Sequence, residues 1–458
     1  MKLKTVILAA GQGKRMKSQM PKVLHKIGGL PMLEHVYNLA ASLDSESITV
    51  IYGHGGSRVP SELEHLPVTW VEQREQLGTG HALMQIQDSI SDDERVLVLY
   101  GDVPLLKKST LQSLLQAGDP ESLALLTIEL KDPKGYGRIV RNQNSNRVSR
   151  IVEDKDASAA EKQIAEVNTG ILVVAGKWLK RGLAQLTDNN AQCEYYLTDI
   201  IEFLARAGCR VEALQAARAD EVLGVNDRVQ LASLERLYQK RIATHLMENG
   251  VTLKDPNRFD LRGQIQSFGQ DIEIDVNVVL EGKIVLGNHV RIGPNCVLRD
   301  VTIGDQVEIL PHTVIEEAVI GDACRIGPFS RIRPQTRLAD QVHIGNFVEL
   351  KKSSVASASK INHLSYIGDT SVGSKVNIGA GTITCNYDGA NKYQTIIEDG
   401  VFIGSDTQLI APVKVRKNAT IGAGSTITKE VPEDELTLSR AKQYTIKGWE
   451  RPRKNRGS

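Results

Sequence analysis

A glycine-containing turn near the start of the chain carries several positive charges and could hold phosphate groups. Gly11 and Gly13 stand in the segment AAGQGKRM, with Lys14, Arg15 and Lys22 in or just after it. Glycines let backbone N–H groups approach a phosphate closely, and cationic side chains neutralise its charge. The turn is not a dinucleotide fingerprint, because methionine replaces the third glycine, nor a Walker A loop, because arginine follows the lysine. A tight strand-to-helix connection is the alternative interpretation.

Two further residues could do chemistry. Asp102 directly follows an apolar run, where a carboxylate facing phosphates suits a hard cation such as Mg²⁺. An aspartate there is also common as a turn residue. His363 lies in the polar segment NHLSY, and an imidazole, with an unperturbed pKa of about 6.5, can accept a proton from an amine near neutral pH. An ordinary surface histidine is the alternative.

The first half of the chain must supply the elements that position the turn and Asp102. Short aliphatic runs predict buried strands at 5–8, 48–52 and 96–100. One helical face between the first two is formed by Leu33, Val36, Tyr37 and Ala40. Strands alternating with helices predict an α/β domain with a parallel sheet, whose ligands bind beyond the carboxyl ends of the strands.

A long helix is predicted where this pattern fades, near Asn226. Apolar residues recur through 227–249, which contains no proline or glycine, and Gly250 follows as a stop. The segment is either one long connecting helix or a surface helix of a neighbouring domain.

Beyond Gly250 aliphatic residues recur at every sixth position. One series is Leu286, Ile292 and Leu298, continuing after a shorter step through Ile303, Ile309 and Ile315. Two more are Ile320, Ile326, Ile332, Leu338, Ile344 and Leu350, and Ile403, Leu409, Val415, Ile421 and Ile427. A six-residue period places one aliphatic side chain inside each flat side of a coil, and stacked coils bury a continuous column. Conventional strands with coincident spacing are the less probable alternative.

Three details of the repeat are predicted. Glycines that follow the aliphatic residue are expected to permit the backbone angles of the corners, as at Gly293, Gly304, Gly327 and Gly422. The period is expected to break at 353–366 and again in a polar loop at 386–397. Loops leaving a rigid coil often carry binding groups.

Composition excludes several classes of protein. The 458 residues predict about three domains at roughly 150 residues each. A formal net charge of +1 provides no overall field for a polyanion, so no nucleic-acid partner is expected. Five cysteines without a C-x-x-C pair argue against a disulfide framework and a zinc site. No run approaches the roughly 18 apolar residues of a membrane span, and we expect a cytoplasmic protein.

The motifs together resemble known enzymes. Segment 8–22 resembles the signature loop of sugar-phosphate nucleotidyltransferases, and Gln73, segment 78–81 and segment 100–104 resemble their base and metal motifs, in the same order. Lys14 departs from that family, which often has threonine there. The C-terminal segments RIRP, NFVE, NHL, GAGT and NYDG, which begin at 331, 346, 362, 379 and 386, resemble the bacterial bifunctional N-acetylglucosamine-1-phosphate uridyltransferases and glucosamine-1-phosphate acetyltransferases.

The resemblance implies the architecture. A Rossmann-like nucleotidyltransferase domain would occupy 1–226, a connecting helix 227–250 and a left-handed parallel β-helix 251–437. The tail 438–458 has no clear counterpart in the family, and its many lysines and arginines without periodicity predict a basic, mobile segment. The left hand comes from the resemblance alone, since ordinary crossovers are right-handed. The resemblance also implies a homotrimer assembled through the β-helix, with the acetyl site shared between subunits.

The resemblance further implies the site residues. Arg15 and Lys22 would be catalytic on the uridyl side, and Asp102 and Asn226 would hold Mg²⁺. UTP and UDP-N-acetylglucosamine would be bound by Leu8, Ala9, Ala10, Gly11, Gly13, Lys22, Gln73, Gly78, Thr79, Tyr100, Gly101, Asp102, Gly137, Glu153, Asn168 and Asn226. His363 would be the base of the acetyltransferase. Glucosamine 1-phosphate would be held by Arg333, Lys351, Tyr366 and Asn377, and acetyl-CoA would be bordered by Ala380, Asn386, Tyr387, Ser405, Ala423 and Arg440.

The expected function is therefore twofold: acetylation of glucosamine 1-phosphate, then transfer of UMP from UTP to give UDP-N-acetylglucosamine, a precursor of bacterial cell-wall sugars. One alternative keeps the nucleotidyltransferase and makes the β-helix a non-catalytic trimerising element. A purely structural scaffold is the third, and it predicts neither activity.

Overall fold

The computed structural model describes residues 1–142 and 147–454, so the last four residues of the predicted tail lie outside the described residues. The chain divides into two compact units, Met1–Arg241 and Ile242–Ser458. The predicted long helix is confirmed as Arg228–Glu248 and contains the division point. Gly250 follows with a φ of 93°, the left-handed conformation that commonly ends helices.

A nine-stranded mixed sheet forms the centre of the first unit. Its main path runs in the order Val211–Gln215, Leu123–Glu129, Glu166–Ala175, Glu94–Tyr100, Lys2–Ala9, Ser47–Tyr52 and Thr69–Glu72. Arg138–Arg141 and Val148–Val152 complete this sheet, and Lys26–Ile27 pairs with Leu30–Pro31 separately. The three predicted strands are confirmed and lie side by side in parallel.

The main path of the sheet is parallel, as predicted, except at one strand. Glu166–Ala175 runs antiparallel to both Glu94–Tyr100 and Leu123–Glu129. The chain reaches it after the antiparallel pair Arg138–Arg141 and Val148–Val152, and an antiparallel neighbour needs no crossover helix. The carboxyl ends of the central strands still meet at one edge.

Apolar clusters cover both faces of this sheet, because successive strand residues point to opposite faces. On Lys2–Ala9, Ile7 belongs to one buried cluster, and Val6 and Leu8 belong to another. The α-helices of this unit are Met32–Ala41, Arg58–Glu62, Thr79–Met84, Lys108–Gln116, Gly176–Leu183 and Asp199–Arg206. Met32–Ala41 buries the predicted face, with Tyr37 partly buried at its margin. No helix in the described ranges has the length and apolarity that a membrane crossing requires.

The second unit is a parallel β-helix. Its strands are Thr252–Leu253, Phe259–Phe268, Glu273–Ile274, Val278–Leu286, Arg291–Ile292, Val297–Ile303, Glu308–Ile309, Val314–Glu316, Ala318–Ile320, Arg325–Ile326, Arg331–Ile332, Thr336–Leu338, His343–Asn346, Glu349–Lys351, Ser354–Val355, Lys360–His363, Tyr366–Gly368, Thr370–Val372, Asn377–Ile378, Ile383–Cys385, Thr395–Ile397, Phe402–Ile403, Gln408–Ile410, Val413–Val415, Thr420–Ile421, Thr426–Ile427 and Leu436–Thr437. Each coil pairs in parallel with the next, which aligns a buried column: Ile292, Ile309, Ile326, Ile344, Ile361, Ile378, Ile403 and Ile421.

The predicted period is confirmed, with one correction. Every aliphatic residue of the three predicted series is buried. The predicted break at 353–366 is wrong, because Val355, Ile361 and Ile367 are buried and continue the six-residue spacing. A five-residue step from Leu350 to Val355 hides the period in the sequence. The second break is confirmed as a loop between Ile383–Cys385 and Thr395–Ile397.

The predicted role of the repeat glycines is also corrected. Of the four predicted corner glycines, only Gly327 has a positive φ, 103°. A Cβ on Gly293 would lie 3.0 Å from the Pro311 nitrogen, so this glycine permits close stacking of coils. Left-handed corner angles are carried by other residues, such as Asn295 and His312, with φ values of 60°.

Candidate functional site

A cavity of about 570 Å³ opens in the first unit, beside the carboxyl ends of the strands Lys2–Ala9 and Glu94–Tyr100. Most of the predicted nucleotide-site residues line it: Leu8, Ala9, Ala10, Gly11, Gly13, Arg15, Lys22, Gln73, Gly78, Thr79, Tyr100, Asp102 and Asn226. Residues as far apart in the chain as Leu8 and Asn226 thus share one cavity.

The phosphate turn is shaped by its close approach to Lys22. Gly13 has a φ of 58°, and a Cβ there would lie 2.9 Å from the Lys22 Cβ. No atom lies within 4 Å of the Cβ position of Gly11. Arg15 is exposed and makes no ion pair within the described ranges. The turn therefore offers an exposed guanidinium and open backbone to an anion.

The two predicted metal ligands converge on one cationic group. The Lys22 Nζ donates to Asp102 Oδ2, and it lies 3.5 Å from Asn226 Oδ1. The Asn226 backbone is held by a 2.7 Å hydrogen bond to Gln230 Oε1. An ammonium between a carboxylate oxygen and an amide oxygen marks a position that suits a hard cation, which prefers oxygen ligands. In the described part of the chain, no group of three or more His, Cys, Asp or Glu side chains is arranged to hold a metal ion.

A second segment, residues 195–197, is hydrogen-bonded to segment 77–80, of which Gly78 and Thr79 line the cavity. Gly80 N donates to Tyr195 O and Tyr195 N donates to Leu77 O, both at 2.8 Å. The Leu197 N donates to Thr79 Oγ1 at 3.1 Å. A Cβ on Gly78 would lie 2.6 Å from Tyr195 O, so glycine is required there.

Gly137, Glu153 and Asn168, which were predicted to bind UTP and UDP-N-acetylglucosamine, form a group next to Tyr100 and do not line the cavity. Asn168 N donates to Gly137 O at 2.8 Å, and a Cβ on Gly137 would lie 3.4 Å from Glu153 Oε1. Thr198 Oγ1 donates to Glu153 Oε1 at 3.0 Å. Burial raises the pKa of Glu153 above its usual range, and burial together with the nearby carboxylate of Glu153 raises the pKa of Tyr100.

Gly101 does not line the cavity as predicted, whereas several unpredicted residues do. The Gly101 N–H donates to Leu8 O at 2.9 Å, which ties together the two strand ends. Sequence analysis missed four lining residues: Val23, Gln76, Ala82 and Glu194. Gln76 lies close to the quoted Gln73, but Glu194 comes from a distant loop and carries no local signal.

In the second unit, His363 has a fixed ring orientation. Its strand pairs in register with the strand of Asn346, and Asn346 Oδ1 lies 2.9 Å from His363 Nδ1. An amide oxygen can only accept, so Nδ1 carries the proton and Nε2 keeps a lone pair. Ser365 Oγ donates to the His363 carbonyl at 2.8 Å. The imidazole is exposed, and its Nε2 takes no part in the hydrogen bond to Asn346.

A cationic group lies on the neighbouring face of the β-helix. Glu349 pairs in register with Tyr366, and Arg333 Nη1 donates to Glu349 Oε1 at 2.7 Å. The pKa of Lys351 is lowered, chiefly by Lys392 and further by Arg333. Such crowding of positive charge is typical of an anion site. Sequence analysis missed Lys392, which sits in the predicted polar loop.

The predicted acetyl-CoA residues follow one another along successive coils. Asp406 N donates to Ala380 O at 2.7 Å, and Gly424 N donates to Ser405 O at 2.8 Å. The next coil ends at Arg440, whose Nη1 donates to Ala423 O at 2.8 Å.

The polar loop at 386–397 is anchored to the β-helix by the side chain of Asn386. Asn386 Nδ2 donates to Asp369 Oδ2 at 2.5 Å, whereas Tyr387 is exposed. Asn377 begins the strand Asn377–Ile378, which pairs with the strand of His363.

Comparisons with known proteins agree with the division of the chain into two units. A model of the MobA-like NTP transferase domain matches residues 5–191, and one of the GMPPB C-terminal domain matches residues 266–347. A bacterial transferase hexapeptide model, with six repeats, matches residues 394–429. A relative from Methylococcus capsulatus named "Bifunctional protein GlmU" is 61% identical, over 100% of this chain and 99% of its own length.

Two more relatives with this name cover the whole chain. The protein from Aromatoleum aromaticum is 56% identical over 99% of both chains, and that from Idiomarina loihiensis is 54% identical over 100% of both. Because the identity spans both units, the chain belongs to the bifunctional GlmU family, the uridyltransferase and acetyltransferase family that its motifs resemble.

Proposed function

We propose that this protein acetylates glucosamine 1-phosphate with acetyl-CoA and then transfers UMP from UTP to the product, which yields UDP-N-acetylglucosamine and pyrophosphate. The observation that carries the proposal is the convergence of the phosphate turn, Gln73 and the pair Asp102 and Asn226 on one cavity. The oriented imidazole of His363 supports the acetyl-transfer half.

In uridyl transfer, a phosphate oxygen of N-acetylglucosamine 1-phosphate attacks the α-phosphorus of UTP in line, and the bond to the pyrophosphate oxygen breaks. No covalent enzyme intermediate is needed. Arg15 and Lys22 stabilise negative charge that moves onto the leaving pyrophosphate, and losing one such group typically costs about 10² to 10³ in rate. Lys22 must exchange its bond to Asp102 for a bond to phosphate.

Asp102 and Asn226 would hold Mg²⁺, which supplies positive charge beside the phosphates. The sugar is assigned to the group formed by Gly137, Glu153 and Asn168. Their hydrogen bonds and their position next to Tyr100, a cavity-lining residue, support this assignment.

In acetyl transfer, the amine nitrogen of glucosamine 1-phosphate attacks the thioester carbonyl while His363 Nε2 takes its proton. The C–S bond then breaks, and the proton passes from Nε2 to the sulfur, which releases the CoA thiol. Asn346 holds the proton on Nδ1, so that Nε2 stays available. The cations Arg333, Lys351 and Lys392 bind the sugar phosphate, because guanidinium and ammonium groups form strong charge-assisted bonds to it. Tyr366 and Asn377 orient the sugar.

The acetyl-CoA is assigned to the column of Ala380, Ser405 and Ala423, with Asn386 and Tyr387 on the adjacent loop. Arg440 is suited to a phosphate of CoA, since a guanidinium binds phosphate in bidentate fashion.

The proposed assembly is a homotrimer formed through the β-helix, with the acetyl site shared between subunits. An exposed column supports it: the rings of His312, Phe329 and Phe347 stack at 4.8 and 5.5 Å. Leu364, next to His363, extends this apolar edge. The proposed compartment is the cytoplasm, which agrees with the five free cysteines. No nucleic-acid partner is proposed.

The test is to incubate the purified protein with glucosamine 1-phosphate, acetyl-CoA, UTP and Mg²⁺ and to measure thiol release and UDP-N-acetylglucosamine. Arg15→Ala should abolish most uridyl transfer and leave thiol release intact, and His363→Ala should do the reverse. Normal turnover of UTP by Arg15→Ala would contradict the uridyl assignment. Absence of thiol release from the wild-type protein would favour a non-catalytic trimerising β-helix, and thiol release that survives His363→Ala would contradict the role of His363.

A further inference from the structure

The amide of Gln73 is held in one orientation at the wall of the nucleotide cavity. Its side chain is only 2% exposed. The Nε2 donates to Gly78 O at 3.0 Å, and it lies 3.0 Å from His81 Nδ1. Because a backbone carbonyl can only accept, Gly78 determines which end of the amide faces it. The second Nε2 hydrogen then points at His81.

This arrangement specifies the protonation of His81. Nδ1 must accept from Gln73, so the ring proton resides on Nε2. The exposed Gln85 Nε2 donates to His81 O at 3.1 Å and also lies 3.2 Å from His81 Nε2, so rotating this amide to accept from the ring would give up its bond to the His81 carbonyl. The ring of Tyr195 lies 6.2 Å from that of His81. His81 itself does not appear among the cavity-lining residues.

The remaining polar atom of Gln73 is available to a ligand. Both Nε2 hydrogens are used, and Oε1 has no hydrogen-bond partner in the described ranges. The unpaired Oε1 is not fully buried, and this agrees with the position of Gln73 at the cavity wall. The site therefore offers an acceptor and no donor at this point.

We propose that His81 is a positioning residue that keeps Gln73 as an acceptor, so that the site selects a base with an N–H on its pairing edge. Uracil has such a group at N3. Cytosine carries a lone pair at N3, so it would place two acceptors against each other. This inference rests on the proposed function, because it assumes that Gln73 meets the base of the nucleotide.

His81 affects the choice of base because two hydrogen bonds, to Gly78 O and His81 Nδ1, hold the orientation of the Gln73 amide. Without His81, only the bond to Gly78 opposes rotation of the amide, and rotation would let Nε2 donate to cytosine. One neutral hydrogen bond corresponds to a roughly 2- to 13-fold effect. A site that leaves a buried polar group unpaired rejects a ligand strongly, so weaker orientation should reduce discrimination.

The experiment compares His81→Phe, which keeps a ring but no acceptor, with His81→Asn, whose amide oxygen can replace Nδ1. Values of kcat and KM are measured for UTP and for CTP. We expect His81→Phe to lower the ratio of kcat/KM for UTP over CTP about tenfold, mainly through a higher KM for UTP. His81→Asn should restore most of the ratio. Tm and acetyl transfer serve as folding controls.

An unchanged UTP-to-CTP ratio in His81→Phe would overturn the inference, as would equal losses in the Phe and Asn variants. If His81→Phe does not fold, His81→Ala, which only truncates a partly exposed side chain, makes the same comparison. Failure of the wild-type protein to use UTP would instead contradict the proposed function.

Discussion

Replacing Asn346 by alanine should slow acetyl transfer by removing the group that orients the catalytic imidazole. Asn346 Oδ1 lies 2.9 Å from His363 Nδ1, and no other hydrogen bond to this ring is present in the described part of the chain. Without the acceptor, the ring can rotate and its proton can move to Nε2. The fraction of molecules with a basic nitrogen facing the amine then falls.

The magnitude follows from one neutral hydrogen bond. Such a bond contributes about 0.5–1.5 kcal/mol, which corresponds to a roughly 2- to 13-fold change. Removal of the base itself forfeits a contribution of about 10² to 10⁴. We therefore expect kcat for acetyl transfer to fall about tenfold in Asn346→Ala, and at least about a hundredfold in His363→Ala.

The assay is thiol release from acetyl-CoA at saturating glucosamine 1-phosphate, with uridyl transfer by the same protein as the folding control. Asn346→Asp is the matched variant, since it keeps an acceptor at the same place and should retain most activity. The reasoning would be refuted by an unchanged kcat in Asn346→Ala. It would also be refuted if Asn346→Asp were as slow as Asn346→Ala.

Three further predictions concern the core, a buried carboxyl and the phosphate site. Ile361→Ala, at a fully buried position, should lower the free energy of unfolding by about 2–5 kcal/mol in urea, whereas Val319→Ala, at a position 39% exposed, should change it by less than about 0.5 kcal/mol. Burial raises the pKa of Glu153 above 4.5, so the folded chain keeps a proton that the unfolded chain loses between the two pKa values. Stability therefore falls as the pH rises from the unfolded pKa to the folded pKa. Glu153→Gln should therefore raise Tm more at pH 7 than at pH 4, and an equal gain at both would contradict this. Lys392→Ala should raise KM for glucosamine 1-phosphate about tenfold, with kcat little changed. Lys392→Arg should retain binding, and titration of Lys351 should shift upward in the alanine variant.

Local spacing carried much of the architecture. The six-residue period appears directly in the chain because each flat side of a coil buries one residue, so Ile292, Ile326 and Ile421 were predicted as core residues, whereas Ile361 and Ile378 of the same column were not. The long helix and the first strands were predictable for the same reason. The antiparallel course of Glu166–Ala175 was not, because strand direction depends on distant pairing partners.

For the candidate sites too, local sequence could not predict contacts between distant residues. The sequence by itself determined which chemical groups are present: a cationic glycine turn, a carboxylate after a strand, and an imidazole in a polar segment. Only the tertiary structure decided that Asp102 and Asn226 face one ammonium, that Lys392 crowds Lys351, and that Asn346 and His81 orient the groups beside them. The physical reason is that hydrogen bonds and charge effects act over a few ångströms, and the folded chain brings together residues that lie far apart in sequence.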